Sequence, residues 1–151
     1  MIITIKGVSQ IEKNTILVGG YANFTFTKYN SVFNLNPNSG IFLTDRFCLG
    51  ISLPLAYTSG DLYWGFAPFG RYYFKPKESR SLFISGSIGM TSFLNSDHTL
   101  TNTALILGIG HVWLLNKSVG FETEARVGTS FDNIIAGLFF GFQIYFNKSN
   151  D

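Results

Sequence analysis

The stretch GFETEARVG, residues 120–128, decides how the rest of the chain is read. It places Glu122, Glu124 and Arg126 in a chain that has only 20 charged side chains (11 Lys and Arg plus 9 Asp and Glu) among 151 residues. Between and beside them stand Phe121, Thr123, Ala125 and Val127. Two carboxylates two residues apart are compatible with general acid–base chemistry. At a period of two they are equally one face of a β-strand whose other face is apolar. The neighbouring runs decide between these readings.

Composition narrows the class. The chain is 46% hydrophobic, 17% aromatic and 13% charged, with 16 glycines, whereas an ordinary globular domain carries about 25% charged residues. The formal charge of +2 is too small to imply nucleic acid, and the basic residues form no patch. A single cysteine excludes an intramolecular disulfide and any CxxC site. A transmembrane helix needs roughly 20 consecutive apolar residues. The best stretch, 103–115, is shorter, and Gly108 and Gly110 interrupt it. At the start, MIITI is too short for the apolar region of a signal peptide, while GVSQ before Ile11 fits the remnant of a small-residue cleavage site. The expected organisation is an N-terminal segment 1–13, one folded domain 14–146, and a polar tail 147–151.

From Asn14 onward, strand-like runs alternate with turn signals, and no segment has helical periodicity. The last run is the clearest: Ile134, Ala136, Leu138, Phe140, Phe142, Ile144 and Phe146 share one face, against Gly137, Phe139, Gly141, Gln143 and Tyr145. The run 46–58 alternates in the same way, Phe47, Leu49, Ile51, Leu53, Leu55 and Tyr57 opposing Cys48, Gly50, Ser52, Pro54 and Ala56. In 118–130 the apolar row is Val119, Phe121, Thr123, Ala125 and Val127, and the other row holds Gly120, Glu122, Glu124, Arg126 and Gly128. With the runs near 16–27, 33–43, 61–75, 81–94 and 102–114, this predicts eight antiparallel strands joined by short turns. Charge collects in the turns, and within the strand bodies only Arg71, Glu122, Glu124 and Arg126 are charged. GIFLTDRFCLG (40–50) and GHVWLLNKSVG (110–120) match in length and glycine placement, which suggests two equivalent hairpins.

Eight such strands can close with either face outward. A soluble ligand-binding barrel puts the large apolar row inside, and a membrane barrel puts it in lipid. An eight-stranded barrel has an interior just wide enough for its own side chains. Apolar rows of Phe, Leu, Ile and Trp would overfill it, while rows of Gly, Ser, Thr and Asn with a few Tyr and Phe fit. A water-facing surface of Gly, Tyr and Phe would also be a poor soluble surface. The expected fold class is therefore all-β, an eight-stranded antiparallel up-and-down transmembrane β-barrel. An even strand number puts both termini at one end, the periplasmic end in bacterial barrels. The turns 44–46, 75–80 and 115–117 then lie at that end, and the loops near 28–30, 58–61, 95–98 and 130–133 are extracellular. Aromatics at strand ends fit two interfacial girdles: Phe47, Tyr72, Phe74, Trp113 and Phe146 at one end, and Phe26, Phe33, Tyr57, Trp64 and Phe131 at the other.

Four segments carry a resemblance: NLNPNSGIFLTDRFCLGISL (34–53), APFGRYYF (67–74), GIGHVWLLNKSVGFE (108–122) and GLFFGFQIYF (137–146). Together they resemble the outer-membrane protein beta-barrel domain family, the small OmpX/OmpA/OmpW-like barrels abundant in Bacteroidota. The resemblance spans nearly all of 14–146 and is one of pattern, with no catalytic signature. It implies residence among outer-membrane lipids, a precursor with a signal peptide, and insertion by the outer-membrane assembly machinery, which reads a terminal aromatic. Phe146 of the IYF triplet suits that step, although Asn-Lys-Ser-Asn-Asp follows it.

Little in the sequence supports chemistry. The two histidines are His98, read as a solvated loop residue beside Asp97, and His111, read as an interfacial aromatic on the lipid-facing row. No GxSxG occurs, and Ser96 and Ser130 have no carboxylate–His pair. No cofactor or metal is expected, and the chain is read as a non-enzyme with a structural or interaction role. The alternatives are a narrow pore, transport of small hydrophobic ligands, and a barrel-embedded lipid-modifying enzyme. Inward glycines opposite Tyr21, Phe69, Tyr73, Phe83, Phe139 and Tyr145 read as making room for aromatics that fill the lumen. Isolated charges in a lumen are costly. Arg71 and Arg126 are therefore expected to neutralise Glu122 and Glu124, with Arg71 reaching across from a nearly opposite strand.

Overall fold

A computed structural model describes residues 11–26, 31–58, 61–76, 78–93, 102–130 and 133–147. Nine β segments and no helix occur among them: β1 Ile16–Phe26, β2 Ser31–Phe42, β3 Phe47–Ser52, β4 Leu55–Thr58, β5 Asp61–Tyr73, β6 Arg80–Phe93, β7 Asn102–Leu114, β8 Val119–Ser130 and β9 Asn133–Phe146. They make a barrel of eight staves, because β3 and β4 are one stave. Both pair with β2 and β5 at unchanged offset, Asn38↔Ser52 and Leu35↔Leu55 on one side, Ser52↔Ala67 and Leu55↔Trp64 on the other. The break between them falls at Pro54, which has no N–H to donate to the ladder. Every pairing is antiparallel, and β1 closes on β9 from Ile16↔Phe146 to Ala22↔Phe140. Closure leaves no edge, the condition for a sheet in hydrocarbon. The uninterrupted strands run from 11 residues in β1 to 14 in β6 and β9, against about 9–11 needed to cross a bilayer at a tilt.

The alternation read from the sequence is the alternation of exposure. On β7, Leu105, Leu107 and Ile109 are exposed, with Leu107 at 60%, while Gly110 and Val112 are buried. On β9, Phe140, Phe142, Ile144 and Phe146 face outward and Gly141, Gln143 and Tyr145 inward. Leu, Ile, Phe, Val and Trp thus form a continuous apolar exterior, far larger than the few hundred Å² of apolar patch a soluble monomer exposes.

Inside, the barrel is less uniform than a polar row implies. Near the termini the lumen is filled by an apolar cluster that includes Ile11, Leu17, Phe42, Tyr73, Phe83 and Tyr145. Tyr73 lies 5.3 Å, ring centre to ring centre, from both Phe42 and Phe83. Ile11 belongs to the segment drawn outside the domain from sequence, yet it is fully buried here. Asn14 adopts a left-handed backbone (φ 71°), a conformation Asn tolerates better than most residues. Hydrogen bonds Asn14 N–H to Phe42 O (2.8 Å) and Phe42 N–H to Thr15 O (2.9 Å) tie this lead to β2.

The inward glycines do make room for rings, as expected. A methyl group at Gly110 would collide with the Phe83 ring, one at Gly50 with Phe69, and one at Gly141 with Tyr21. The two related hairpins share their turn chemistry. Thr44 Oγ1 accepts the N–H of Arg46 and Phe47, and Asn116 Oδ1 accepts the N–H of Ser118 and Val119. The spatial correspondence, Leu43–Phe47 with Leu115–Val119, is shifted by two residues from the glycine-based alignment, because the turn and not the glycines sets the hairpin register.

Candidate functional site

Above the apolar plug lies a layer of charge. Arg71 projects inward from β5, and Glu122, Glu124 and Arg126 project inward from β8, two staves (β6 and β7) lying between. Arg71 Nη1 meets Glu122 Oε2 at 3.2 Å, and Arg126 Nη2 meets Glu124 Oε2 at 2.7 Å. The four formal charges sum to zero. Glu122 has no solvent-accessible surface and takes two further donors, Tyr145 OH on Oε1 at 2.7 Å and Tyr21 OH on Oε2. Glu124 Oε1 accepts the Ser85 hydroxyl, and the absence of a side chain at Gly108 leaves space for that pair.

Aromatic rings complete the layer. The Arg71 guanidinium lies 4.7 Å from the Phe69 ring centre, 5.2 Å from Phe83 and 5.3 Å from Tyr21. Arg126 lies 4.6 Å from Tyr21 and 4.4 Å from Phe139. Such contacts stabilise a cation most where water is excluded. By alternation alone Tyr21, Tyr145 and Ser85 are simply members of the inward rows. Their polar tips in a lumen that contains carboxylates were the available signal, but which carboxylate each meets depends on the stagger of the staves.

Beyond the charge layer, away from the termini, lies a cavity of about 420 Å³. Arg71, Glu124 and Arg126 form part of its wall, with Asn36, Asn38 and Phe139. Among the described residues the lumen is therefore packed over its terminal half and holds a cavity beyond, a departure from the packed interior expected from sequence. The cause is side-chain size: the inward positions in this half are mostly Asn, Ser, Ala and Gly, too small to meet across the barrel.

The aromatics named at strand ends lie on the outer wall. Phe47 is cross-strand from Tyr72, whose ring meets Phe74 edge-on at 5.5 Å. Trp113 stacks on Phe121 at 5.9 Å, Phe121 meets Phe142 at 5.3 Å, and Phe146 is exposed opposite Ile16. In the other half Tyr57 and Trp64 are exposed, and Phe33 packs on Phe24 at 5.0 Å. His111 is on the outer wall, 4.0 Å from the Trp113 ring centre and turned away from the lumen carboxylates. Among the described residues no group of three His, Cys, Asp or Glu could hold a metal. Asp97, His98, Ser96, Phe131 and the side chains of Phe26 and Ser130 lie outside the described residues, as do 28–30, 59–60, 95–98 and 131–132 of the loops assigned to the extracellular end, whereas Thr58, Asp61, Ser130 and Asn133 end strands.

An apolar exterior, a closed antiparallel barrel of eight staves and a neutralised polar lumen define an outer-membrane-type β-barrel. Solved structures of this kind share the fold. The N-terminal β-barrel domain of Pseudomonas aeruginosa OprF superposes with a TM-score of 0.72 at 14% identity, over 89% of this chain and 98% of that one. Neisserial surface protein A gives 0.64 at 12% identity over 87% and 96%, and Pseudomonas aeruginosa OprG 0.67 at 11% over 93% and 99%. No protein-family model matches the chain, and no curated protein matches it.

Proposed function

We propose that this chain is an integral barrel of the outer membrane of a Gram-negative bacterium, with a structural or interaction role and no through-conduction. The observation that carries the reading is the plug. Leu17, Phe42, Tyr73, Phe83 and Tyr145 are almost wholly buried across the lumen near the termini, and the paired charges sit on top of them. A solute crossing the barrel would have to displace this cluster and open two ion pairs. The expected result in planar bilayers is no discrete conductance steps from the folded protein. Reproducible single-channel events would replace this reading with a narrow pore.

Of the occupants considered from sequence, a small hydrophobic ligand fits the cavity poorly. The cavity wall carries the polar side chains of Asn34, Ser87 and Arg126, which an apolar ligand would strip of water without supplying hydrogen bonds. A lipid-modifying enzyme is supported less, since His111 lies on the opposite side of the barrel wall from the carboxylates. The outer aromatics are read as girdles at the two membrane interfaces, and biogenesis as a task of the outer-membrane assembly machinery.

A further inference from the structure

We propose that the lumen cavity is a binding site for a small, neutral, polyhydroxylated ligand of monosaccharide to disaccharide size. The cavity holds about 420 Å³, within the range of roughly 300–1,000 Å³ of small-molecule pockets. Its most telling wall is on β2, where Asn34, Asn36 and Asn38 point inward at successive alternate positions. Alternate residues of a strand stand about 6.8 Å apart, so the three form a row of amides. The side-chain oxygens of Asn36 and Asn38 are buried and accept no hydrogen bond, and Asn38 is only 6% exposed. A buried acceptor without a donor is the exception in folded proteins. Two in one row mark this wall as hydrogen-bonding, and rotation of either amide about its last side-chain bond would turn its oxygen toward an O–H or N–H donor in the cavity.

The remaining wall selects among donors. Arg71 and Arg126 already face Glu122 and Glu124, so the charge layer has no net charge to offer an ion. That favours a neutral ligand over a free carboxylate, an ammonium or a phosphate. On the facing wall Ser87 adds a hydroxyl, and Ser85, whose proton goes to Glu124, adds an acceptor. Phe139 and Tyr63 contribute ring surface, whose electron-rich faces suit the C–H face of a pyranose. Acceptors in a row, hydroxyls opposite and flanking aromatics are complementary to a sugar. This inference goes beyond the closed-barrel reading and does not depend on it, since a sugar could occupy the cavity whether or not the plug conducts.

The test is calorimetric titration of the full chain, folded in detergent micelles, with glucose, N-acetylglucosamine and maltose. Leucine and 1-octanol serve as zwitterionic and apolar comparisons. At least one saccharide is expected to bind, while leucine and octanol bind at least tenfold more weakly. Asn36→Ala with Asn38→Ala should weaken saccharide binding at least tenfold. Ser87→Trp, which fills the cavity and leaves the amide row intact, should abolish it. No saccharide binding at tens of millimolar, preference for leucine or octanol, or binding that survives Ser87→Trp would each overturn the proposal. If the asparagine variant does not fold, the wild-type preference and Ser87→Trp decide alone.

Discussion

Tyr21 joins the two ion pairs of the lumen through a single side chain: its hydroxyl donates to Glu122, while its ring faces Arg126 at 4.6 Å and Arg71 at 5.3 Å. The residue is 1% exposed and its cross-strand neighbour on β9 is Gly141, which leaves space for the ring. Removing the hydroxyl alone should therefore be felt. Tyr21→Phe is expected to cost about 1–3 kcal/mol, the penalty for depriving a buried group of a partner. Urea unfolding of the barrel in lipid vesicles, followed by tryptophan fluorescence, measures it. A change below about 0.5 kcal/mol, typical of a surface substitution, would show that Glu122 does not need this donor.

The two ion pairs should differ in coupling. Arg71 and Glu122 are 3% and 0% exposed, whereas Arg126 keeps 14% beside Glu124. Breaking a buried pair by removing one partner costs about 3–5 kcal/mol. Arg71→Met or Glu122→Gln alone should approach that figure. A double-mutant cycle should give a larger coupling energy for Arg71 with Glu122 than for Arg126 with Glu124. The reverse order would mean that burial does not govern this layer.

Gly110 and Phe83 are cross-strand partners, and any Cβ at 110 would enter the Phe83 ring. Gly110→Val should destabilise by about 1–3 kcal/mol, the range for overpacking a filled interior. Phe83→Leu introduced with it should recover part of the loss. Thermal loss of the compact form on an unheated gel reports both variants. Strict additivity of the two substitutions would deny that the ring is what the glycine accommodates.

On the outer wall, depth should matter. Leu107 is 60% exposed near the middle of β7, and Phe146 lies at the end of β9. An arginine at the bilayer midplane of a barrel costs about 2–4 kcal/mol and far less near an interface. Leu107→Arg should thus reduce stability in vesicles by that amount, and Phe146→Arg by about 0–1 kcal/mol for the charge itself. Equal costs would contradict the placement of Leu107 in the hydrocarbon.

Much of this was legible in the chain because strand periodicity is local. In GFETEARVG, alternation alone puts Phe121, Ala125 and Val127 on one side of the wall and Glu122, Glu124 and Arg126 on the other. Repeated over eight runs and weighed against the width of an eight-stranded lumen, it determined the fold, the direction of the barrel and the row on which every strand charge sits. It also foretold that inward glycines face inward rings.

Contacts across the lumen are another matter, since they depend on the relative stagger of staves far apart in sequence. Only the tertiary structure decided that Arg71 meets Glu122 and not Glu124, that Tyr21 touches both arginines, and that the hairpin match is offset by two residues. It likewise folded Ile11 back under the barrel and divided the interior into an apolar plug, a neutral charge layer and a cavity. Period two names the face of each side chain, but the height at which side chains from different staves meet is set by closure of the whole sheet.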